Sequence, residues 1–222
     1  MKVVSALPVG KFQWRALELT GICTIVFILS QIFPDFFYSA FVLSRDSVLL
    51  QPWTIITHMF MHLNFLHLYS NMFALAVFGT LFEKQAGSRN FLLVFLIGGF
   101  ASAAAGLLFY DSILGASGAI MAVLGYFAIF RPRSVVFVLG VPMPVLAALF
   151  VWAGLDLAGI FYPDNVAHAS HLAGMLYGAI YGLWLRKLYP EPKQYKEKPA
   201  LSEKELEEWE KRYMKRQSKP SS

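Results

Sequence analysis

Residues Gly115-Ala116-Ser117-Gly118, followed by an apolar run from Ala119 to Phe130, set one serine among small residues at the start of a hydrophobic helix. A helix start leaves backbone N–H groups without intrahelical acceptors and carries partial positive charge. A hydroxyl placed there is suited to act as a nucleophile whose developing oxyanion meets a donor at once. Serine also caps helices for purely structural reasons. The rest of the chain has to decide between the two readings.

The chain has 222 residues, 57% hydrophobic and 15% charged, with a mean hydropathy of +0.53. That is too apolar for an ordinary soluble domain. Apolar segments at 16–33, 64–82, 91–110, 115–130, 143–161 and 166–185 read as six spans of one all-α, polytopic six-transmembrane-helix bundle. The fourth is short, roughly 24 Å at about 1.5 Å per residue. With Arg131 and Arg133 at one interface, its Ser117 end falls below the other surface. Backbone that begins inside a bilayer is tolerated only where protein or a water-filled cavity surrounds it. A wet cavity at Ser117 is therefore expected.

Charge sets the orientation. If the N-terminus is cytoplasmic, Arg45 is the one basic residue of the 19 Lys and Arg that falls in an outer segment. Asp35, Asp46, Asp111 and Asp164 all fall outside. This is a positive-inside pattern with both termini cytoplasmic. The net charge of +5 thus reports topology and gives no ground for a nucleic-acid partner. The lone Cys23 excludes an intramolecular disulfide. The first apolar run is long and lacks a convincing cleavage site, so it reads as a retained span rather than a signal peptide.

Residues 34–63 form a long outer loop, apolar but broken by Pro34 and Pro52, expected to lie partly in the membrane interface. In the second span His67 and Asn71 are four apart and share a helix face. Either can glue helices together, and either can donate a hydrogen bond to an oxyanion. The third span holds Gly98-Gly99 and Ala101 to Gly106, a surface that permits close packing. Residues 134–142 read as a connector in the interface. Asp156 in the fifth span is costly unless it is paired or near the outer end.

The sixth span places His171, Gly174, Gly178 and Gly182 on one face, and the fourth offers Gly118, Ala122 and Gly125 at matching spacing. If these faces meet, His171 reaches Ser117, both near the outer ends of their helices. Ser117 and His171 then form a candidate nucleophile and general base, with the Ser117 backbone N–H, His67 and Asn71 around the oxyanion. Asp156 and Asp164 are the nearby candidates for a third, acidic member, but a two-residue dyad is the reading adopted.

These residues resemble the rhomboid intramembrane serine proteases. The resemblance rests on His62 with His67-x-x-x-Asn71, on Gly115-Ala116-Ser117-Gly118, and on Ala169-Ser170-His171-Leu172-Ala173-Gly174, and it covers about residues 16–188. It implies hydrolysis of peptide bonds in or beside a substrate's transmembrane helix by a Ser117–His171 dyad. Transmembrane protein substrates and the lipid bilayer are then the partners, and no cofactor or metal is needed. Supporting positions are Gly115, Gly118, His62, Met121, Gly174 and Gly178. Two departures from the family pattern stand out: Thr54 follows Trp53 where many members have arginine, and Met121 stands where many have a tyrosine that stacks on the histidine.

The chain divides on this reading into a cytoplasmic lead (1–15), a membrane protease domain (16–188) and a charged tail (189–222). In the tail, Ser202 and Glu205 make a capping box ahead of an apolar stripe of Leu206, Trp209 and Tyr213. The want of a seventh span or leader favours a simple prokaryotic plasma-membrane form. Two other classes remain open. His58 and His62 have the spacing of a helical zinc pair, which suits a metal-dependent membrane protein or transporter, although no HExxH motif is present. A non-catalytic binder of transmembrane helices would keep its function without Ser117.

Overall fold

The computed structural model describes residues 10–138, 140–162, 164–188 and 202–213. Residues 10–188 build a helical bundle of α1 (Arg15–Ile32), α2 (Pro34–Phe41), α3 (Thr54–Thr57), α4 (Phe65–Ala74), α5 (Thr80–Ala86), α6 (Ser88–Phe109), α7 (Ser117–Phe130), α8 (Val145–Gly159) and α9 (His168–Leu188). A π-helical segment, Leu75–Gly79, joins α4 to α5, so the second span runs continuously from Phe65 to Ala86. The six expected spans correspond to α1, α4 through α5, α6, α7, α8 and α9.

Of these, Arg15–Ile32, Phe65–Ala86 and Ser88–Phe109 are each long and apolar enough to cross a bilayer unaided. The shorter apolar helices are α7, with 14 residues, and α8, with 15. The short α7 is as the sequence led one to expect, and its surroundings accommodate it. Nearly every residue of α7 from Gly118 to Ala128 is buried against other helices, so protein rather than lipid surrounds it. Its moderate length, about 21 Å at 1.5 Å per residue, is then no penalty. By contrast α1 exposes Ile22, Ile25, Ile28 and Ile32, and α8 exposes Phe150, Leu155 and Leu157. Those faces suit hydrocarbon.

The bundle is centred on α7, which lies between α6 and α9. In a membrane, helices associate through close packing, so small residues matter more than apolar area. A Cβ on Gly178 would sit 1.9 Å from the Ala122 carbonyl oxygen, and one on Gly174 would sit 2.1 Å from that of Gly118. On the α7 side, a Cβ on Gly125 would fall 2.3 Å from the Met175 carbonyl oxygen. The glycines on both helices thus let the two backbones touch along the expected faces. Behind α7, Gly118 leaves room for Ser102 of α6.

At the N-terminal end of α1, buried Glu83 accepts hydrogen bonds from the backbone N–H groups of Gln13 (3.1 Å), Arg15 (2.9 Å) and Ala16 (3.0 Å) and from the Ser88 hydroxyl. A carboxylate there meets the orphan donors of a helix start and so fixes where α1 begins.

The outer loop is mostly folded. Strand β1 (Leu43–Ser44) pairs antiparallel with β2 (Ser112–Ile113), in the register Leu43 with Ile113 and Ser44 with Ser112. Arg45, which follows β1, donates to the Leu107 carbonyl oxygen (2.9 Å) and to that of Tyr110 (3.3 Å) at the end of α6. A cation on the terminal carbonyls of a helix is favourable. Trp53 donates its indole N–H to the Ala40 carbonyl oxygen (2.8 Å), and buried Thr54 bonds to that of Gln51 (2.6 Å). This is how the loop is held with threonine after the tryptophan.

The 134–142 connector is a β-hairpin of β3 (Val135–Val138) and β4 (Val141–Pro144). It alternates exposed Val135 and Phe137 with buried Val136 and Val138, and the latter pack beside Leu124, Phe127 and Ala148. The turn uses Gly140 at φ +81°.

Taken by itself, the tail unit contains α10 (Glu203–Tyr213). Ser202 and Glu205 make the expected reciprocal cap, Ser202 N–H to Glu205 Oε2 at 2.9 Å and Glu205 N–H to Ser202 Oγ at 3.4 Å. Leu206 and Trp209 are exposed on it. The Tyr213 side chain, the helix-stopping Pro190 and Pro192, and most of the N-terminal lead lie outside the described residues.

Candidate active site

Ser117 is the first residue of α7, and its side chain does not cap the helix. Its hydroxyl lies 2.7 Å from Nε2 of His171, one turn into α9. The close α7–α9 approach at Gly118 and Gly174 brings the two side chains together. As the opening residue of α7, Ser117 also presents a backbone N–H that has no intrahelical acceptor.

Gly115 shapes the approach to the serine. It has φ +119°, a conformation that L side chains rarely adopt, and donates its N–H to the His58 carbonyl oxygen at 2.9 Å. A Cβ at this position would fall 2.8 Å from both Cε1 and Nε2 of His67. Glycine therefore allows both the turn and the seating of the His67 ring edge beside the serine.

His67 and Asn71 project from the start of α4, which Asn64 caps by accepting the His67 backbone N–H at 2.9 Å. His67 Nδ1 accepts the Leu63 N–H at 3.4 Å, so its own proton sits on Nε2, the edge facing Gly115. Asn71 is buried and donates from Nδ2 to the His67 carbonyl oxygen at 2.8 Å, while its amide carries a second N–H. His62 packs edge-on against His67, ring centroids 5.1 Å apart.

His58 and His62 do not form a helical pair, because the 3₁₀ turn His58–Phe60 ends before His62. Their Nδ1 atoms turn instead to the carbonyl oxygens of Thr54 (3.0 Å) and Phe60 (3.3 Å). Burial pushes each ring down to about 4, the nearby His67 adding to the effect at His62.

A cavity of about 950 Å³ contains Ser117, His171, His67, Asn71 and Met121 on its wall. It reaches the outer turns at Asp111 and Asp164 and continues between α4 and α8 to Phe137 of the hairpin.

The structure adds a carboxylate that the two-residue reading omitted. Asp156 of α8, 4% exposed, has Oδ1 2.9 Å from His171 Nδ1 and 2.7 Å from His168 Nδ1. On the far side of His168, Nε2 lies 3.1 Å from each oxygen of Asp164. The Val166 N–H, and then His168, hold the Asp164 carboxyl below the usual carboxylate range. In the sequence, the signal for Asp156 was its cost inside a span. It was a candidate third member beside Asp164, and the sequence could not choose between them, because α8 and α9 approach through a turn whose geometry no periodicity encodes. For His168 the signal was weaker still, a histidine three residues before another.

The Rhomboid domain model matches residues 49–188. The rhomboid protease GlpG of Serratia proteamaculans is 29% identical over 76% of this chain and 61% of its own length. For the mitochondrial Rhomboid protein 1 of Saccharomyces cerevisiae the identity is 31% over 79% of this chain and 54% of that protein. The GlpG of Haemophilus influenzae is 28% identical, with 78% of this chain and 91% of the relative covered. The chain thus spans under two thirds of the Serratia and yeast relatives and most of the Haemophilus one. A buried helix opening on a serine, a histidine seated against it across a glycine face, and a family match spanning both place this membrane protein in the rhomboid family.

Proposed function

We propose that the protein is an intramembrane serine endopeptidase that cuts peptide bonds in or beside the transmembrane segments of other membrane proteins. The observation that carries this reading is the 2.7 Å contact between Ser117 Oγ and His171 Nε2 on the wall of a cavity open to the outer turns. Relatives named as rhomboid proteases support it.

His171 accepts the serine proton as Oγ attacks the scissile carbonyl. The carbonyl oxygen becomes an oxyanion beside the Ser117 N–H, His67 Nε2–H and Asn71 Nδ2–H, where the field at the start of α7 also favours negative charge. Collapse expels the amine, which takes its proton from His171 and leaves an acyl-serine. Water entering from the outer side, deprotonated by the same histidine, releases the acid. Asp156 receives the His171 Nδ1–H throughout, which fixes the tautomer that exposes Nε2 to the serine.

The work falls to residues 16–188, in a plasma membrane with both termini cytoplasmic. Labelling of the detergent-purified protein with a fluorophosphonate, followed by cleavage of a transmembrane reporter in liposomes, tests the reading. Wild type is expected to label and cleave, and Ser117→Ala and His171→Ala to do neither while remaining folded by circular dichroism. Equal labelling of all three would place the reactive group elsewhere. Cleavage that persists in Ser117→Ala would end the serine mechanism. Activity lost on strong chelation would instead favour a metal enzyme.

A further inference from the structure

His168 has a carboxylate at each ring nitrogen. Asp156 Oδ1 is 2.7 Å from Nδ1, and both oxygens of Asp164 are 3.1 Å from Nε2. A neutral imidazole carries one N–H and could satisfy only one of them. Asp164 is half-exposed at the mouth of the cavity and its carboxyl is held low, so it is ionised at neutral pH. Asp156 is buried, its Oδ2 has no hydrogen-bond partner among the described residues, and its Oδ1 lies within hydrogen-bond distance of two imidazoles. An isolated carboxylate in that position is expensive, and a neighbouring cation offsets the cost. Protons on both nitrogens of His168 satisfy both carboxylates at once.

We propose, resting on the protease reading above, that His168 is a positioning residue: an imidazolium clamped between Asp156 and Asp164 that holds the Asp156 carboxylate against Nδ1 of His171. The chain of contacts runs Asp164, His168, Asp156, His171, Ser117, from the outer turn to the nucleophile. Each link has a structural support. The Asp164 carboxylate is fixed by a bond from the Val166 N–H at 3.0 Å, in a turn where Asn165 adopts φ +58°. The His168 ring lies flat against the α8 terminus at Gly159, where a Cβ would fall 2.3 Å from Nε2 and Cε1. Without that glycine the ring could not reach both acids.

Asp156, His168 and His171 converge closely enough to be metal ligands. In the proposed relay both Nδ1 atoms direct their protons at Asp156 Oδ1, which leaves those nitrogens no lone pair for a cation. A hydrogen-bonded relay accounts for every one of these contacts.

The test uses the full chain in detergent and in liposomes, measuring fluorophosphonate labelling rate together with kcat and KM on a transmembrane reporter. His168→Ala is expected to lower the labelling rate and kcat about 10- to 100-fold, the scale of one charge-assisted hydrogen bond, with KM unchanged. Imidazole added to His168→Ala should restore a large part of the loss by occupying the vacated space, and should do nothing for Asp156→Asn. In a double-mutant cycle His168→Ala should cost nothing further in the Asp156→Asn background, because the residue acts only through that carboxylate. Melting temperatures of every variant separate this effect from misfolding.

A kcat for His168→Ala within about twofold of wild type would overturn the proposal. So would losses that multiply in the double variant, or the lack of any response to imidazole. These outcomes are distinct from failure of the protease reading, in which wild type itself neither labels nor cleaves.

Discussion

His171 and Asp156 meet across the gap between α9 and α8, Nδ1 of the histidine 2.9 Å from Oδ1 of the acid. The contact makes a three-membered chain of what the motifs presented as two residues. In the proposed mechanism an acidic partner at Nδ1 sets which nitrogen faces Ser117 and stabilises the imidazolium that would form during attack.

Asp156→Asn therefore should leave the bundle assembled and slow the chemistry. A loss of about 10- to 100-fold in kcat is expected, with KM little changed. Steady-state cleavage of a transmembrane reporter measures it. An unaltered kcat would show that His171 works without the carboxylate.

Asn71→Ala removes one of three donors proposed for the oxyanion. The expected loss in kcat is about 10²- to 10³-fold, below the loss for Ser117→Ala, because His67 and the Ser117 N–H remain. Full wild-type turnover would exclude Asn71 from that role.

Gly115→Ala combines a disfavoured φ with a collision at the His67 ring. Either the turn or the ring must move, and both lie beside the serine. Strain of about 1–3 kcal/mol is expected in the melting of the protein, with a disproportionate fall in kcat as His67 is displaced. Wild-type melting and turnover in this variant would mean that the site tolerates a shifted His67.

Gly178→Leu forces a side chain into the Ala122 carbonyl, where even a Cβ has only 1.9 Å. Helices α7 and α9 must separate, which costs at least the 1–3 kcal/mol of ordinary overpacking, about the same again if the backbones part fully. Ser117 and His171 then lose contact. Fluorophosphonate labelling should vanish together with a fall in melting temperature; retained labelling would show that the pair does not depend on this crossing.

Stability should fall on mild acidification. In the folded protein His58 and His62 are held down to about 4 by burial, against 6.5 when free. Above pH 6.5 both states are neutral and the difference contributes nothing. Between about 6.5 and 4 the unfolded chain binds protons that the folded one refuses, so stability drops as pH falls. Melting at pH 7 and pH 5 checks the sign, and His58→Gln with His62→Gln should flatten the dependence.

Much of the bundle was legible in the sequence because membrane spans announce themselves by composition, and because glycines at helical spacing mark where backbones can touch. The joining of Ser117 to His171 follows from Gly118, Gly174 and Gly178 lying on the contact faces. The outer loop was harder. Its apolar residues showed that it is not a free loop, but the pairing of Leu43 with Ile113 and the reach of Arg45 to the end of α6 join segments more than 60 residues apart. The 134–142 hairpin was missed as a hairpin, since an apolar run between two membrane helices has no turn signal stronger than its single Gly140.

By itself, then, the sequence determined which segments are apolar enough to be helices in a membrane, which faces of them are small, and which residues could be nucleophile and base. Those properties are local, fixed by side-chain size, polarity and the 3.6-residue repeat. Only the tertiary structure decided how Asp156 is paired, that His168 stands between two acids, and which helices enclose the short α7. Each of these depends on how the chain turns between α8 and α9 or on which helices surround α7, and neither is encoded in the spacing of residues along one helix.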